Sequence, residues 1–260
     1  MSLYKLANVH PDAKIGKGVI IEPFATVMGD VVIGDGTWIG PNAVIMDGAR
    51  IGKNCQIHPG AVISNIPQDL KFSGEKTYVE IGDFTNIREC VTINRGTVQR
   101  NLTKVGSHTL IMAYSHLGHD TFVGDHVVIV NSCQIAGVVD IEDWAVIGGQ
   151  SGVHQFSRVG AHSMTAAGTI IRKDIPPYVT AGREPISFFG VNSTGLKRRG
   201  FTTEKIRYIQ DIYRVIFQEK LNYKSAIEKV EKEFEDSIEK ANILNFIRSA
   251  TRGIIKGYND

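Results

Sequence analysis

From Val9 onward, an aliphatic residue returns every six positions. The series runs Val9, Ile15, Ile21, Val27, Ile33, Ile39, Ile45, Ile51, Ile57 and Ile63. It resumes at Ile81, Ile87 and Ile93, and again from Val105 through Ile111, Leu117, Val123, Ile129, Ile135, Ile141, Ile147 and Val153 to Val159. Thr165 interrupts the series and Ile171 restores it. A second column lies two residues earlier and holds small or β-branched residues, among them Ala13, Val19, Ala25, Val31, Thr37, Ala43, Cys55, Val127, Cys133 and Ala145. A period of six suits neither an α-helix nor a heptad. It suits a short strand followed by a tight turn, with three strands closing one triangular coil of about 18 residues. Period-two alternation points both columns inward. Glycine, at 27 residues, exceeds the usual share of about 7%, and with Asn and Asp it is expected to supply the turns.

Two stretches leave the repeat, one near 64–78 (NIPQDLKFSGEKTY) and one near 94–103 (NRGTVQRNLT). Both read as loops standing out from a rigid scaffold, where binding groups often sit. Beyond Ile171 the pattern changes. Pro176, Pro177 and Pro185 mark an irregular connection. Helical spacing then follows in three segments: Ile206, Ile209, Tyr213 and Ile216; Ala226, Ile227, Val230 and Phe234; Ile243, Phe246, Ile247 and Ala250. The expected organisation is a mainly β domain over 1–190, a parallel β-helix of hexapeptide repeats, and an α-helical domain over 191–260.

Apolar residues make up 42% of the 260, enough for a large core, and the net charge of +2 indicates no particular partner. Cys55, Cys90 and Cys133 form no CxxC, and three make a poor disulfide framework. The N-terminal MSLYKLANVHP lacks a signal-peptide layout, and no apolar run approaches the roughly 20 residues of a membrane helix. The expectation is a cytoplasmic protein with no transmembrane segment. No P-loop or GxGxxG occurs, and nothing points to nucleic acid.

MAYSHLGHDTFVG holds His116, His119 and Asp120. Histidine is the side chain best suited to act as a base near neutral pH. His119 falls in neither interior column, so it is expected to project outward, towards a substrate or a neighbouring subunit. Gln68, Asp69 and Lys71 combine acceptors, donors and a cation, which suits a sugar or a phosphate. Lys197, Arg198 and Arg199 favour phosphates or an acidic partner. Each group read alone equally suits a solvated surface. The eight histidines are scattered, without HxxEH or a Cys/His cluster, so no metal is expected. A zinc site shared between subunits and a non-catalytic binding scaffold stay open on these residues.

NIPQDLKF, VEIGDFTNIRECVTINRGT, TKVGSHTLIMAYSHLGHD, AVIGGQSGVHQF, IPPYV and FGVNSTGLKRRGF, in this order, closely resemble the UDP-N-acetylglucosamine O-acyltransferase family. The resemblance covers nearly the whole chain and also supplies the left hand of the β-helix, which periodicity does not fix. It implies transfer of a 3-hydroxyacyl chain from acyl carrier protein to the sugar 3-hydroxyl, the first step of lipid A synthesis. It implies a homotrimer with sites between subunits. No bound cofactor is implied, the acyl group riding on the phosphopantetheine of acyl carrier protein. His119 matches the general base, Asp120 its acidic neighbour, and the Gly137 N–H the oxyanion donor. Gln68, Asp69, Lys71, His116, His154, Gln155, Asn192, Arg198 and Arg199 match substrate-binding positions. Met164 and Ala167 match the end of the acyl groove, and the small Ala167 implies a long acyl chain. No cysteine matches a nucleophile. Two positions depart from the family: Val138 and Pro185 stand where ligand-contacting histidines are common. The N-acyltransferases of the same pathway are the nearest rival, but they carry a globular domain before their β-helix, whereas here the hexads begin by Val9.

Overall fold

A computed structural model describes residues 5–257, so the outermost ends of the two expected domains lie outside the described residues. Strands of mostly two residues alternate with four-residue turns and build three sheets of nine, eight and eleven strands, parallel except where Ser187–Val191 runs antiparallel to Val179–Gly182. Along the coil, strands three apart in the chain pair with each other, which is the topology of a three-sided coil. The coil is left-handed. We call the sides face A (from Asn8–Val9 to Ile170–Ile171), face B (from Lys14–Ile15 to Arg158–Val159) and face C (from Ile20–Ile21 onward).

Both columns of the repeat lie inside the prism, where Ile39, Ile63, Ile93, Leu117, Val127, Ile129 and Cys133 are wholly inaccessible. Thr165 is equally buried, and it is tolerated because its hydroxyl accepts the Gly148 N–H at 3.0 Å. The first excursion occupies 66–77, between the strands Val62–Asn65 and Tyr78–Ile81. The second occupies 95–101, between Thr92–Asn94 and Leu102–Val105.

The turns differ from expectation. Most left-handed corner residues are not glycine, and many are bulky: Phe84, His108, His126, Trp144, His162 and Tyr178 all have positive φ. That conformation is costly for large side chains. Here these six rings form a stack along the B/C corner, with successive centroids 4.0–6.2 Å apart, and the stacking offsets the strain. The glycines that follow the aliphatic column serve another purpose. A Cβ on Gly34 would lie 2.6 Å from the Gly52 carbonyl carbon, and one on Gly82 would lie 2.6 Å from the Ser107 nitrogen. They let successive coils approach each other.

After the last coil come a strand at Ser187–Val191 and four helices: α1 (Ser193–Arg198), α2 (Thr203–Gln218), α3 (Tyr223–Glu233) and α4 (Ile238–Arg248). The short α1 holds GLKR of the GLKRR run, with Arg199 as its C-cap, and helical spacing did not reveal it. Ala250 lies past the end of α4. The tail is not wholly helical, because Lys256–Gly257 pairs with Ser187–Phe188 and so returns to the sheet of face C.

Removing the γ and δ carbons of Ile129 leaves a cavity that stacked backbones on every side cannot fill. Ile129→Ala is expected to cost about 2–5 kcal/mol, read as a lowered urea midpoint, while Lys104→Ala on the outside of face B leaves the midpoint in place.

Candidate active site

The A/B corner between the strands His116–Leu117 and Phe122–Val123 carries His119 and Asp120. Asp120 takes the left-handed corner conformation, with φ 59, which aspartate tolerates better than most residues. Its carboxylate is fully buried. It accepts the Thr97 N–H (3.0 and 3.1 Å to its two oxygens), the Thr97 hydroxyl (2.6 Å) and the Arg100 N–H (3.0 Å). Its fourth partner is His119 Nδ1, at 2.8 Å. Only an ionised carboxylate accepts from every side. In the neutral imidazole, then, Nδ1 carries the proton and Nε2 the lone pair.

His119 leaves the prism, as its place in the hexad requires, but it does not stand exposed. The two excursions cover it and leave it 9% accessible. They are knitted together: the Asn94 amide donates to the Ile66 carbonyl at 2.8 Å, the Arg95 N–H to the Asn65 carbonyl at 3.0 Å, and the Arg95 guanidinium lies 5.6 Å from the Phe72 ring centre. From the first excursion, Asp69 brings Oδ2 to 4.0 Å from His119 Nε2. Its other oxygen accepts the Lys71 N–H at 2.9 Å, which sets the local turn. Gln68 and Lys71 are exposed beside it. His116 projects from face A and makes a 2.8 Å hydrogen bond with the Thr92 hydroxyl. Burial, then the neighbouring His119, holds its imidazole below the usual histidine range.

Gly137 occupies the same corner one coil later. A Cβ there would lie 2.5 Å from His119 Nε2, so glycine alone leaves room for the ring. At the neighbouring B/C corner the amides at the same place in the hexad, those of Lys53, Ser107 and Asp125, donate to Asp83, Asp125 and Asp143 of the following coil, at 2.6–2.8 Å. Above Gly137 stands Gln155, and among the described residues the Gly137 N–H has no acceptor. Val138 follows with φ 59 and is buried, which is a strained conformation for a β-branched residue. It forms an apolar wall beside the pair. His154 and Gln155 lie in the next coil, and the His154 ring nitrogen Nδ1 is 2.8 Å from the Gln155 carbonyl.

Asn192, Arg198, Arg199 and Met164 are elsewhere. They line a cavity of about 560 Å³ on face C, with Val146 and Thr180. The Asn192 side chain caps α1, accepting the Gly195 N–H at 3.2 Å and donating to the His162 carbonyl at 2.9 Å. Arg199 lies over the Trp144 ring, 5.2 Å from its centre, with Nη1 3.3 Å from His162 Nδ1. Burial, then the Arg199 charge, pushes His162 down to about 4. Ala167 is exposed at the C/A corner, outside that cavity. Pro185 borders a different cavity, with Lys173, Arg183 and Lys256. Among the described residues no hydrogen bond or ion pair joins the His119 group to the Asn192 group within one chain, and no cluster of His, Cys, Asp and Glu is placed to hold a metal ion. Thr97 and Arg100 were not singled out in the sequence. Thr97 is 23 residues from Asp120, at the far side of an excursion whose path no periodicity describes.

A sequence profile described as UDP-N-acetylglucosamine O-acyltransferase, domain 2, matches residues 174–255, and one for the bacterial transferase hexapeptide (six repeats) matches 30–65. An acyl-[acyl-carrier-protein]–UDP-N-acetylglucosamine O-acyltransferase of Thiobacillus denitrificans is 45% identical over 256 residues, covering 98% of this chain and 99% of that protein. The crystal structure of a UDP-N-acetylglucosamine acyltransferase from Bacteroides fragilis 9343 superposes with a TM-score of 0.96 at 48% identity, covering 98% of this chain and all of the other. The corresponding Francisella novicida enzyme superposes with a TM-score of 0.95 at 38% identity, covering 98% of this chain and 94% of that one. With a relative this similar along almost its whole length, and with His119, Asp120 and Gly137 assembled at one corner of a hexapeptide prism, the chain belongs to the UDP-N-acetylglucosamine O-acyltransferase family.

Proposed function

We propose that this enzyme moves a 3-hydroxyacyl chain from the phosphopantetheine thioester of acyl carrier protein to the 3-hydroxyl of UDP-N-acetylglucosamine, the opening step of lipid A synthesis in the cytoplasm. The observation that carries the mechanism is the juxtaposition of His119 Nε2, a free lone pair, with Gly137, a free N–H. Nε2 takes the proton of the sugar hydroxyl as its oxygen attacks the thioester carbon. The carbonyl oxygen gains the negative charge and accepts from the Gly137 N–H, a rigid donor aimed where charge develops. Collapse breaks the C–S bond, and the imidazolium returns its proton to the departing sulfur. Acylated sugar nucleotide and free carrier thiol result. The buried Asp120 supports the imidazolium through Nδ1. No acyl-enzyme is needed. Burial pushes the Cys55 and Cys133 thiols up, so neither is a ready nucleophile.

The separation of the two residue groups favours a trimer. On face B the outward strand positions carry Lys14, Arg50, Glu80, Lys104, Asp140 and Arg158, beside the uncharged Val32, Tyr78, Leu102 and Phe122. On face A the coil strands carry Asn8, Thr26, Val44, Val62, Thr92, His116, Gln134, Gly152 and Ile170, and on face C, as far as Met164–Thr165, they carry Ile20, Trp38, Gln56, Asn86, Leu110, Val128, Val146 and Met164. None of these is Lys, Arg, Asp or Glu. Two different uncharged faces packed A against C make a heterologous contact, which closes as a ring. Three prisms meeting at their uncharged sides leave every face B in water. The contact brings the Asn192, Arg198 and Arg199 side of one chain towards the His119 side of its neighbour. Lys71, Arg198 and Arg199 then offer cations for the pyrophosphate, with Gln68, Asp69, His116, His154 and Gln155 around the sugar. Met164, exposed on face C, and the small Ala167 border the acyl path, and the missing bulk at Ala167 favours a chain longer than ten carbons.

Incubation with UDP-N-acetylglucosamine and a ladder of 3-hydroxyacyl carrier proteins, followed by mass spectrometry, is expected to give acylated sugar nucleotide with the longer donors preferred. Absence of product from every donor would overturn the assigned reaction. Gly137→Ala is expected to keep the fold and to lower kcat by about 100-fold or more, because the new methyl displaces the imidazole from the donor. Light scattering should give three times the 28.6 kDa chain mass. Val128→Lys on face C should break that assembly, while Lys104→Glu on face B should leave it whole. A Val128→Lys protein that still runs as the wild-type assembly would contradict the packing of face C.

A further inference from the structure

The second excursion, 95–101, is held down far more firmly than a surface loop requires. The Arg100 guanidinium forms two bonds to the Asp140 carboxylate, at 2.5 and 3.2 Å, donates to the Asp120 carbonyl at 3.1 Å, and lies 4.6 Å from the Phe122 ring centre. Asp140 and Phe122 are neighbouring outward residues of face B, paired in register. The loop is thus bolted to the prism on the side away from His119. Its other side delivers Thr97 N–H, Thr97 O–H and Arg100 N–H to one buried carboxylate. Below it, the Thr103 hydroxyl accepts the Asp120 N–H at 2.8 Å and fixes the backbone.

This arrangement does more than bury Asp120. A carboxylate whose oxygens are held by donors from the loop has one remaining direction in which to accept, and that direction is His119 Nδ1. We infer that Thr97 is a positioning residue for the acyl transfer: its hydroxyl, 2.6 Å from Asp120 Oδ2, shares that oxygen with His119 Nδ1 and thereby sets both the orientation and the proton affinity of the base. The inference rests on the reading of His119 as the base. The same donors draw negative charge away from the His119 side of the carboxylate. The sharing tempers the pull on the Nδ1 proton. The other titratable groups facing the imidazole are Asp69, 4.0 Å from Nε2, and His116 on face A. Neither is hydrogen-bonded to Thr97, whose hydrogen bonds among the described residues go to Asp120 and to the loop's own Gln99 and Asn101 amides.

The test is Thr97→Val, which keeps the backbone N–H and nearly the same shape while deleting the hydroxyl. We expect kcat to fall about tenfold, the scale of one lost hydrogen bond to a charged group, with KM for the sugar nucleotide within twofold of wild type. The acid limb of kcat against pH should move upward, because a carboxylate relieved of a donor holds the imidazolium proton more strongly. Thr97→Ser, which restores the hydroxyl, should return both kcat and the pH profile towards wild type. A Thr97→Val enzyme with unchanged kcat and pH profile overturns the inference. So does a loss of kcat that Thr97→Ser fails to rescue and that comes with a changed KM or a lowered thermal midpoint, since that pattern is merely structural. His119→Ala is measured alongside. An inactive His119→Ala with a fully active Thr97→Val sinks only the role of Thr97, whereas an active His119→Ala sinks the base itself.

Discussion

Everything in this molecule depends on how closely one coil can sit on the next. The aliphatic column and the smaller residue beside it fill the prism, and the glycines beside the column remove the Cβ atoms that would hold the backbones apart. Once the coils touch, the register is fixed. A residue lies over the one 18 positions earlier, as Asp125 does over Ser107. The proposed catalytic pair is a consequence of that rule. His119 and Gly137 are successive occupants of one corner, so the proposed base and oxyanion donor are neighbours without any loop having to bring them together. Loops would place them less exactly than a stacked backbone does, and acyl transfer is sensitive to errors of a fraction of an ångström.

The corners do not share the stacking load equally. At the B/C corner the amides of Lys17, Lys53, Ser107 and Asp125 each donate to an aspartate of the next coil, and this carboxylate ladder stabilises the stack. Gly137 belongs to the A/B corner, where Gln155 stands above it and its N–H is left without an acceptor among the described residues. The proposed oxyanion donor thus sits at a corner that the ladder does not occupy.

The fold was legible because a period of six has few physical solutions, and the interior columns that encode it cover most of the chain. The site was legible only in part. His119 could be read as a base by its chemistry, and as an outward residue by its place in the hexad. Its burial could not be read, because the cover comes from two excursions that obey no period. Asp120 was visible as a neighbour in sequence, but its three loop donors were not, since Thr97 and Arg100 reach it across an irregular path. The corner residues were misjudged for a different reason. Local propensity favours glycine and Asn where φ is positive, whereas in a stacked coil each corner also has a partner above and below. Aromatic rings such as His126 and Trp144, with centroids 4.0 Å apart, gain enough from that partner to accept the strained backbone. The α1 helix was hidden because its six residues are too few to show a period, and its start is defined by the Asn192 cap.

Charge placement on the three faces is what favours the proposed site between chains. A prism with three charged faces would be a soluble monomer, and its His119 side and Asn192 side would never meet. Leaving faces A and C uncharged costs the isolated chain exposed apolar surface, including Ile20, Met164 and Ile170. In the proposed trimer that cost is recovered when face A of one chain covers face C of another, and the cleft so formed has walls of different character. One wall presents His119, the proposed base, under two polar loops. The other presents α1, capped by Asn192, with Arg198 and Arg199 at its end. A nucleotide sugar has a neutral reacting end and a charged end, and a cleft between two unlike faces offers a different surface to each. Because both walls are stacked backbone, the distance between them in the proposed trimer is set by the side chains of the packed faces, so the residues that would hold the assembly together would also decide the fit to substrate.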